Sequence, residues 1–150
     1  MTETFRATSR VLLFDRDDRV LLFLQYGKSH DVAPRWITPG GGIDPGEDHP
    51  AAAIREVIEE TGLVLPSVPD SFHSLDFDAD QRWHEYLTGH SEWYALRVDT
   101  FEPIPDGWTD DEKLDIIDHR WWSIDDLAAT DDIVEPDELV ALIREGLATL

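Results

Sequence analysis

The stretch from Pro39 to Leu63 constrains this chain more than any other. It opens with Pro39 and three consecutive glycines, Gly40 to Gly42, and passes a Pro45-Gly46 turn. A helix is then written with both ends marked. Asp48 or His49 can cap it, and Pro50 falls in the first turn, where its missing N–H does no harm. Ala51 to Thr61 run on without a breaker, and Gly62 stands at the left-handed position that ends many helices.

On such a helix Glu56, Glu59 and Glu60 are related as i, i+3 and i+4 and share one face. Ala52 and Ala53 lie on the same side a turn earlier; being small, they are expected to leave room for a ligand. Ile54, Val57 and Ile58 point the other way and are expected to bury against a sheet. Arg55, four residues before Glu59, flanks the acidic face and is placed to hold that carboxylate in one rotamer. Two carboxylates about 6 Å apart at an effective dielectric of about 20 repel by roughly 3 kcal/mol. A hard divalent cation with oxygen ligands, Mg²⁺ above all, removes that conflict and also binds phosphates. Glutamate runs on exposed helices are usually plain solvated surface. The glycine loop before this one changes the balance, because it brings main chain close to a ligand and offers carbonyl oxygens.

Counted out, the segment reads Gly41, five residues, Glu47, seven residues, then Arg55-Glu56-Val57-Ile58-Glu59-Glu60-Thr61-Gly62-Leu63. This resembles the Nudix box at every defined position, both aliphatic positions included. The resemblance implies a Nudix-type α/β/α sandwich with a mixed sheet. It implies a Mg²⁺-dependent hydrolase, with Mn²⁺ a substitute, that cleaves a phosphoanhydride bond in a nucleoside diphosphate joined to another group. By position, Glu56, Glu59 and Glu60 would hold metal, with Glu47 in support and Gly40 or Gly41 giving a carbonyl. The catalytic set it suggests is Glu59 or Glu60 as general base, Arg55 beside them, and Glu112 as the later-loop candidate for the base or for an extra metal ligand. Glu112 sits among Asp110, Asp111 and Lys113, which is equally the pattern of ordinary surface charge. A non-catalytic Nudix domain that senses a nucleotide or binds a protein is the rival, although degenerate boxes usually lose glutamates and this one keeps them. Dimers are common in the family, so a homodimer belongs to the expectation.

Composition narrows the partners. The 150 residues suit one domain, 1–150, and 41% apolar residues with six Trp suffice for a core. A net charge of −21, with Lys28 and Lys113 the only lysines, repels nucleic-acid polymers and leaves a small-molecule nucleotide as the expected substrate. Without Cys there is no disulfide framework or thiolate zinc site, which fits a reducing cytoplasm. The opening MTETFRATSR carries no apolar leader, and no apolar run approaches the roughly 20 residues of a membrane span.

Elsewhere, Val11–Phe14 and Val20–Leu24 read as strands about the polar turn Asp15–Arg19, and Trp36–Thr38 as a short strand. His73–Phe77, Trp83–Thr88 and Trp93–Val98 read as strands, with Gly89 turning a hairpin between the last two. Phe101–Lys113 reads as a surface loop and Ile116–Trp122 as a strand. Ser123 caps a short helix, and Pro136–Leu147 forms an amphipathic one. Trp121-Trp122-Ser-Ile-Asp-Asp-Leu127 resembles a segment common after the last strand of the family, expected to wedge sheet against helices.

Arg6, Arg10 and Arg35 are candidate phosphate ligands, each weighed against salt bridging at the surface. Trp36, Trp83, Tyr86 and Trp93 are candidate base-stacking rings, each weighed against core packing. Asp76-Phe-Asp78-Ala-Asp80 begins like a calcium loop but has Gln81 for the required glycine and Leu87 for the required glutamate. The glycine run lacks the Gly-Lys-Ser/Thr of a P-loop.

Overall fold

The computed structural model describes residues 4–150. Met1–Glu3, part of the segment read as lacking an apolar leader, lie outside the described residues. The chain runs β1 (Phe5–Phe14), β2 (Val20–Gln25), β3 (Arg35–Ile37), β4 (Gly40–Gly42), α1 (His49–Thr61), β5 (His73–Asp78) and β6 (Thr88–Arg97). It continues with α2 (Asp110–Asp115), β7 (Ile116–Trp122), α3 (Ile124–Ala129) and α4 (Leu139–Leu147).

The strands form one seven-stranded mixed sheet. Its spine is β3-β2-β1-β6-β5, with β4 also on β1 and β7 also on β2. β1 and β6 are parallel from Phe5↔Thr88 to Phe14↔Arg97, and the remaining ladders are antiparallel. Alternate residues of β1 face opposite sides of a sheet that is covered on both. Val11 and Leu13 join Leu21, Phe23, Ala53 and Val57 under α1, while Leu12 and Phe14 join Leu22, Leu139, Leu142 and Ile143 under α4. Covering both faces explains why the strands read as unbroken apolar runs. The architecture is the expected α/β/α sandwich. Trp122 packs against the terminal helices as expected, whereas Trp121 faces the other way, on the α1 side of the sheet.

Several local expectations need correction. Trp83–Leu87 is turn and bend, not strand, and Gly89 lies inside β6 with Phe77 as its partner on β5. The aromatic rings that suggested a strand are buried by tertiary contacts instead: Trp83 donates to the Ala33 carbonyl at 3.1 Å, and the Asp80 carbonyl accepts the Trp83 and His84 N–H groups. The glycine run is a strand, paired Ser9↔Gly41 with β1, not a loop. Within Phe101–Lys113 a helix begins at Asp110, and the last helix starts at Leu139 rather than Pro136. No helix among the described residues is long and apolar enough to cross a membrane.

Candidate active site

The helix that carries the glutamates is held as its sequence dictates. Asp48 caps α1, its side chain accepting the Ala51 N–H at 2.9 Å. At the other end Gly62 adopts φ 82°, and its N–H reaches the Ile58 carbonyl at 2.9 Å. The buried stripe is Ala52, Ala53, Val57, Glu60 and Thr61. Ala52 and Ala53 are therefore packed, leaving no ligand space, while Ile58 is 39% exposed. The face is turned from the expected one, with Ala52 and Ala53 fully buried at the first turn of the helix. This rotation places Glu60 at the edge of the core.

Arg55 organises the acidic cluster. Its Nε and Nη2 meet Glu47 at 2.8 and 2.9 Å, Nη1 reaches Glu56 at 2.9 Å and Glu59 at 3.2 Å, and Nη2 also donates to the Gly42 carbonyl at 2.9 Å. Hydrogen bonds from Arg55 outweigh burial and hold the Glu47 carboxyl below the usual range. Glu47, expected as a supporting metal ligand, is thus committed to Arg55 and to the Asp44 N–H. The bonds to Glu47, with burial opposing and the charge of Glu56 adding, leave Arg55 raised.

Glu60 is only 8% exposed, and its Oε2 accepts the Gly40 N–H at 3.3 Å. Burial, then the charge of Glu56, drives its carboxyl well above the ordinary range, against a smaller opposing pull from Arg10. Glu59 is raised by burial and Glu56, with Arg55 opposing. Glu112 adds negative charge to both. Gly41 lies so near that a methyl group on it would sit 2.7 Å from Glu56 Oε1.

Four carboxylates and glycine main chain form an all-oxygen donor set. Among the described residues no three acidic or imidazole side chains already converge on one point, since Glu56 and Glu59 are turned to Arg55. The buried charge conflict at Glu60 fits a hard divalent cation, which is the partner that such a set lacks.

Gly40 to Gly42, Arg55, Glu56, Glu59 and Glu60 line a cavity of about 430 Å³ that also contains Arg6, Arg10 and Glu112. Among the described residues neither Arg6 nor Arg10 forms an ion pair; Arg10 donates to the Thr38 carbonyl at 3.2 Å, and Arg6 lies against Gly42. Arg35 is different. It is buried against Glu135 at 3.1 Å and donates to the Gln25 carbonyl at 2.9 Å, so its charge is spent inside the fold. A recess of about 190 Å³ adjoins, sharing Arg10, Trp83, His84 and Tyr86 with the main cavity and adding Phe77 and Trp93. Trp36 takes no part; it packs edge-on to Trp122 at 5.2 Å and donates to Asp132.

One feature escapes a reading of the sequence, and a second left a signal there. At the recess Glu135 is met by both His84 and Arg35, across segments with no local signal of contact. Glu112 is fixed by a capping box with Thr109, and that signal, Thr109-Asp-Asp-Glu112, is present in the sequence.

A mixed sheet between helices, with an arginine-braced acidic helix facing a glycine strand across a cleft, defines a Nudix-type domain. The family model for the NUDIX domain matches residues 4–143, and the chain belongs to that family. An RNA pyrophosphohydrolase of Sphingopyxis alaskensis is 33% identical over 102 residues, 62% of this chain and 63% of the relative. Mouse diphosphoinositol polyphosphate phosphohydrolase 3-alpha is 43% identical over 63 residues, 41% of this chain and 36% of the relative. The match thus spans less than two thirds of either relative. Among solved structures, the dihydroneopterin triphosphate pyrophosphohydrolase of E. coli superposes with a TM-score of 0.74 at 19% identity, covering 100% of both chains. A C. elegans Ap4A hydrolase gives 0.70 at 18% identity, over 96% of each chain. Likeness at that identity shows the shared fold.

Proposed function

We propose that the chain hydrolyses a phosphoanhydride bond in a nucleoside diphosphate joined to another group, with Mg²⁺ or Mn²⁺ held by Glu56, Glu59 and Glu60. The observation that carries this is the Glu60 carboxylate, buried beside Glu56 and under a cleft that holds Arg6 and Arg10. A structural role gives no reason to gather charge there, whereas a cation and a diphosphate complete it. The metal supplies charge neutralisation on the diphosphate and lowers the pKa of a bound water. Glu47 supports the cluster through Arg55, and the Gly41 main chain lies within reach of the same site. Arg6 and Arg10 grip phosphate oxygens and orient the chain of phosphates. Glu59, the most exposed of the three glutamates, or Glu112 receives the proton of the attacking water.

The recess suits the group beyond the diphosphate. Phe77 is partly exposed there beside the edges of the buried Trp83, Tyr86 and Trp93, while Asp78, Asp80, Glu135, Asp137 and Glu138 surround the recess with carboxylates. That lining supports a planar ring with N–H donors, as in an oxidised nucleoside triphosphate or ADP-ribose, over a phosphorylated inositol. The net charge of −21 argues the same way against a nucleic-acid polymer. The rival reading is a nucleotide sensor, which would bind without turnover.

A panel of nucleoside triphosphates, ADP-ribose, dinucleoside polyphosphates, 5′-triphosphorylated RNA and a diphosphoinositol phosphate, assayed with Mg²⁺ beside Glu60→Gln, tests this. Turnover of a free nucleotide that is lost in Glu60→Gln is expected. Tight binding with no turnover on any compound supports the sensor.

A further inference from the structure

We propose that Trp108 is a positioning residue that carries Glu112 to the carboxylate cluster of α1, an inference that rests on the metal-platform reading above. α2 has only six residues and none is buried, so its own packing does not decide where Glu112 stands. The helix is placed from its two ends.

The segment leading into α2 is strapped across the last turn of α1. The Ile104 N–H donates to the Thr61 carbonyl at 3.1 Å. Gly107 lies so close that a methyl group on it would sit 2.6 Å from the Glu59 carbonyl oxygen. Trp108 Nε1 donates to the Glu60 carbonyl at 2.8 Å, and its ring meets Phe23 edge-on at 6.3 Å. The strap therefore grips the main chain of the two glutamates beneath the cavity. Thr109 follows at once and starts α2 with its capping box. At the far end the Asp115 carbonyl accepts the Tyr26 N–H at 2.9 Å, and its carboxylate meets His30 at 2.7 Å.

Glu112 is aimed by this frame. Its Oε1 accepts the Thr109 N–H at 3.0 Å, which fixes the side chain and leaves the second oxygen for the cavity that Glu59 and Glu60 also line. Only three residues separate the Trp108 anchor from Glu112, so a change at the indole reaches the carboxylate through one turn of helix. Trp108 touches no reacting group in this account; it acts through Glu112.

The test is a double-mutant cycle in the full chain, with Trp108→Phe, Glu112→Gln and the pair, read both by Mn²⁺ affinity from electron paramagnetic resonance and by steady-state kinetics. Trp108→Phe keeps an aromatic ring, smaller than the indole, but loses the N–H. It should lower kcat about tenfold and weaken Mn²⁺ binding by a similar factor, while KM for the nucleotide stays within about twofold. The double variant should be no worse than Glu112→Gln alone, because both changes act on one group. Additive losses, or wild-type kcat and Mn²⁺ affinity in Trp108→Phe, overturn the proposal. Thermal unfolding checks that Trp108→Phe folds; if it does not, Gly107→Ala, which presses the same strap against the Glu59 carbonyl, carries the cycle. Glu60→Gln separates the two readings. If it abolishes Mn²⁺ binding while Glu112→Gln behaves as wild type, only the Trp108 proposal falls. If Glu60→Gln itself binds Mn²⁺ and turns over normally, the platform reading falls with it.

Discussion

Arg55 and Glu47 meet fork to fork, Nε to Oε2 at 2.8 Å and Nη2 to Oε1 at 2.9 Å. The same guanidinium holds Glu56 and Glu59, so a single planar cation sets the rotamers of three carboxylates at once. A lysine keeps the charge but cannot reproduce this geometry. Arg55→Lys is expected to lower kcat/KM by about a hundredfold, since misplacing catalytic groups by about 1 Å costs that much. Glu47→Gln should cost less. Steady-state kinetics decides it, and a wild-type kcat/KM in Arg55→Lys would remove Arg55 from the organising role.

Glu60 makes the metal-free protein sensitive to pH in a definite direction. Its carboxyl titrates above the ordinary glutamate range in the folded state because it is buried and faces Glu56. The folded state therefore keeps a proton that the unfolded chain has lost, and stability falls as pH rises from the ordinary glutamate range through the raised value. Urea unfolding with a chelator present should show that fall, and Glu60→Gln should flatten it. Magnesium should reverse it, releasing protons as it binds; calorimetry in two buffers of different ionisation enthalpy measures that release. Stability that climbs over the same pH range would contradict the assignment.

Two adjacent glycines should fail in different ways. Gly40 has φ 143°, and a Cβ there would run into the Ser9 carbonyl oxygen, so Gly40→Ala should destabilise the fold by a few kcal/mol. Gly41 has an ordinary backbone, and its added methyl would press on Glu56 instead. Gly41→Ala should leave the melting temperature within a few degrees of wild type and lower kcat and Mn²⁺ affinity. Equal stability losses in the two variants would show that Gly41 has no link to the carboxylate.

Asp15 is fully buried in the β1–β2 turn and accepts the N–H groups of Asp17 and Arg19, the Arg19 Nε at 2.8 Å and the Thr100 hydroxyl at 3.0 Å. Burial works against its charge, but these bonds win and lower its pKa. Asp15→Asn should cost about 1–3 kcal/mol at neutral pH. A folded-state pKa below the unfolded one gives stability that is complete above the unfolded value and lost as pH falls through the folded value. The gap between wild type and variant should therefore narrow in acid, which denaturation curves across that range will show.

The sequence by itself determined the parts that depend on near neighbours. Asp48, Pro50 and Gly62 fixed the bounds of α1, and the spacing of Glu56, Glu59 and Glu60 put three carboxylates close together on it. The apolar run Val11–Phe14 marked the central strand, and the spacing from Gly41 to Leu63 pointed to the family. Only the tertiary structure decided which of these groups are buried and what meets them. Glu60 is enclosed because β4 closes on it, and Arg35 is spent on Glu135, 100 residues away. Trp83–Leu87 leaves the sheet because its rings find partners outside any ladder. Backbone geometry reaches only a turn or two along the chain, whereas burial and charge pairing depend on segments that packing brings together from anywhere in it.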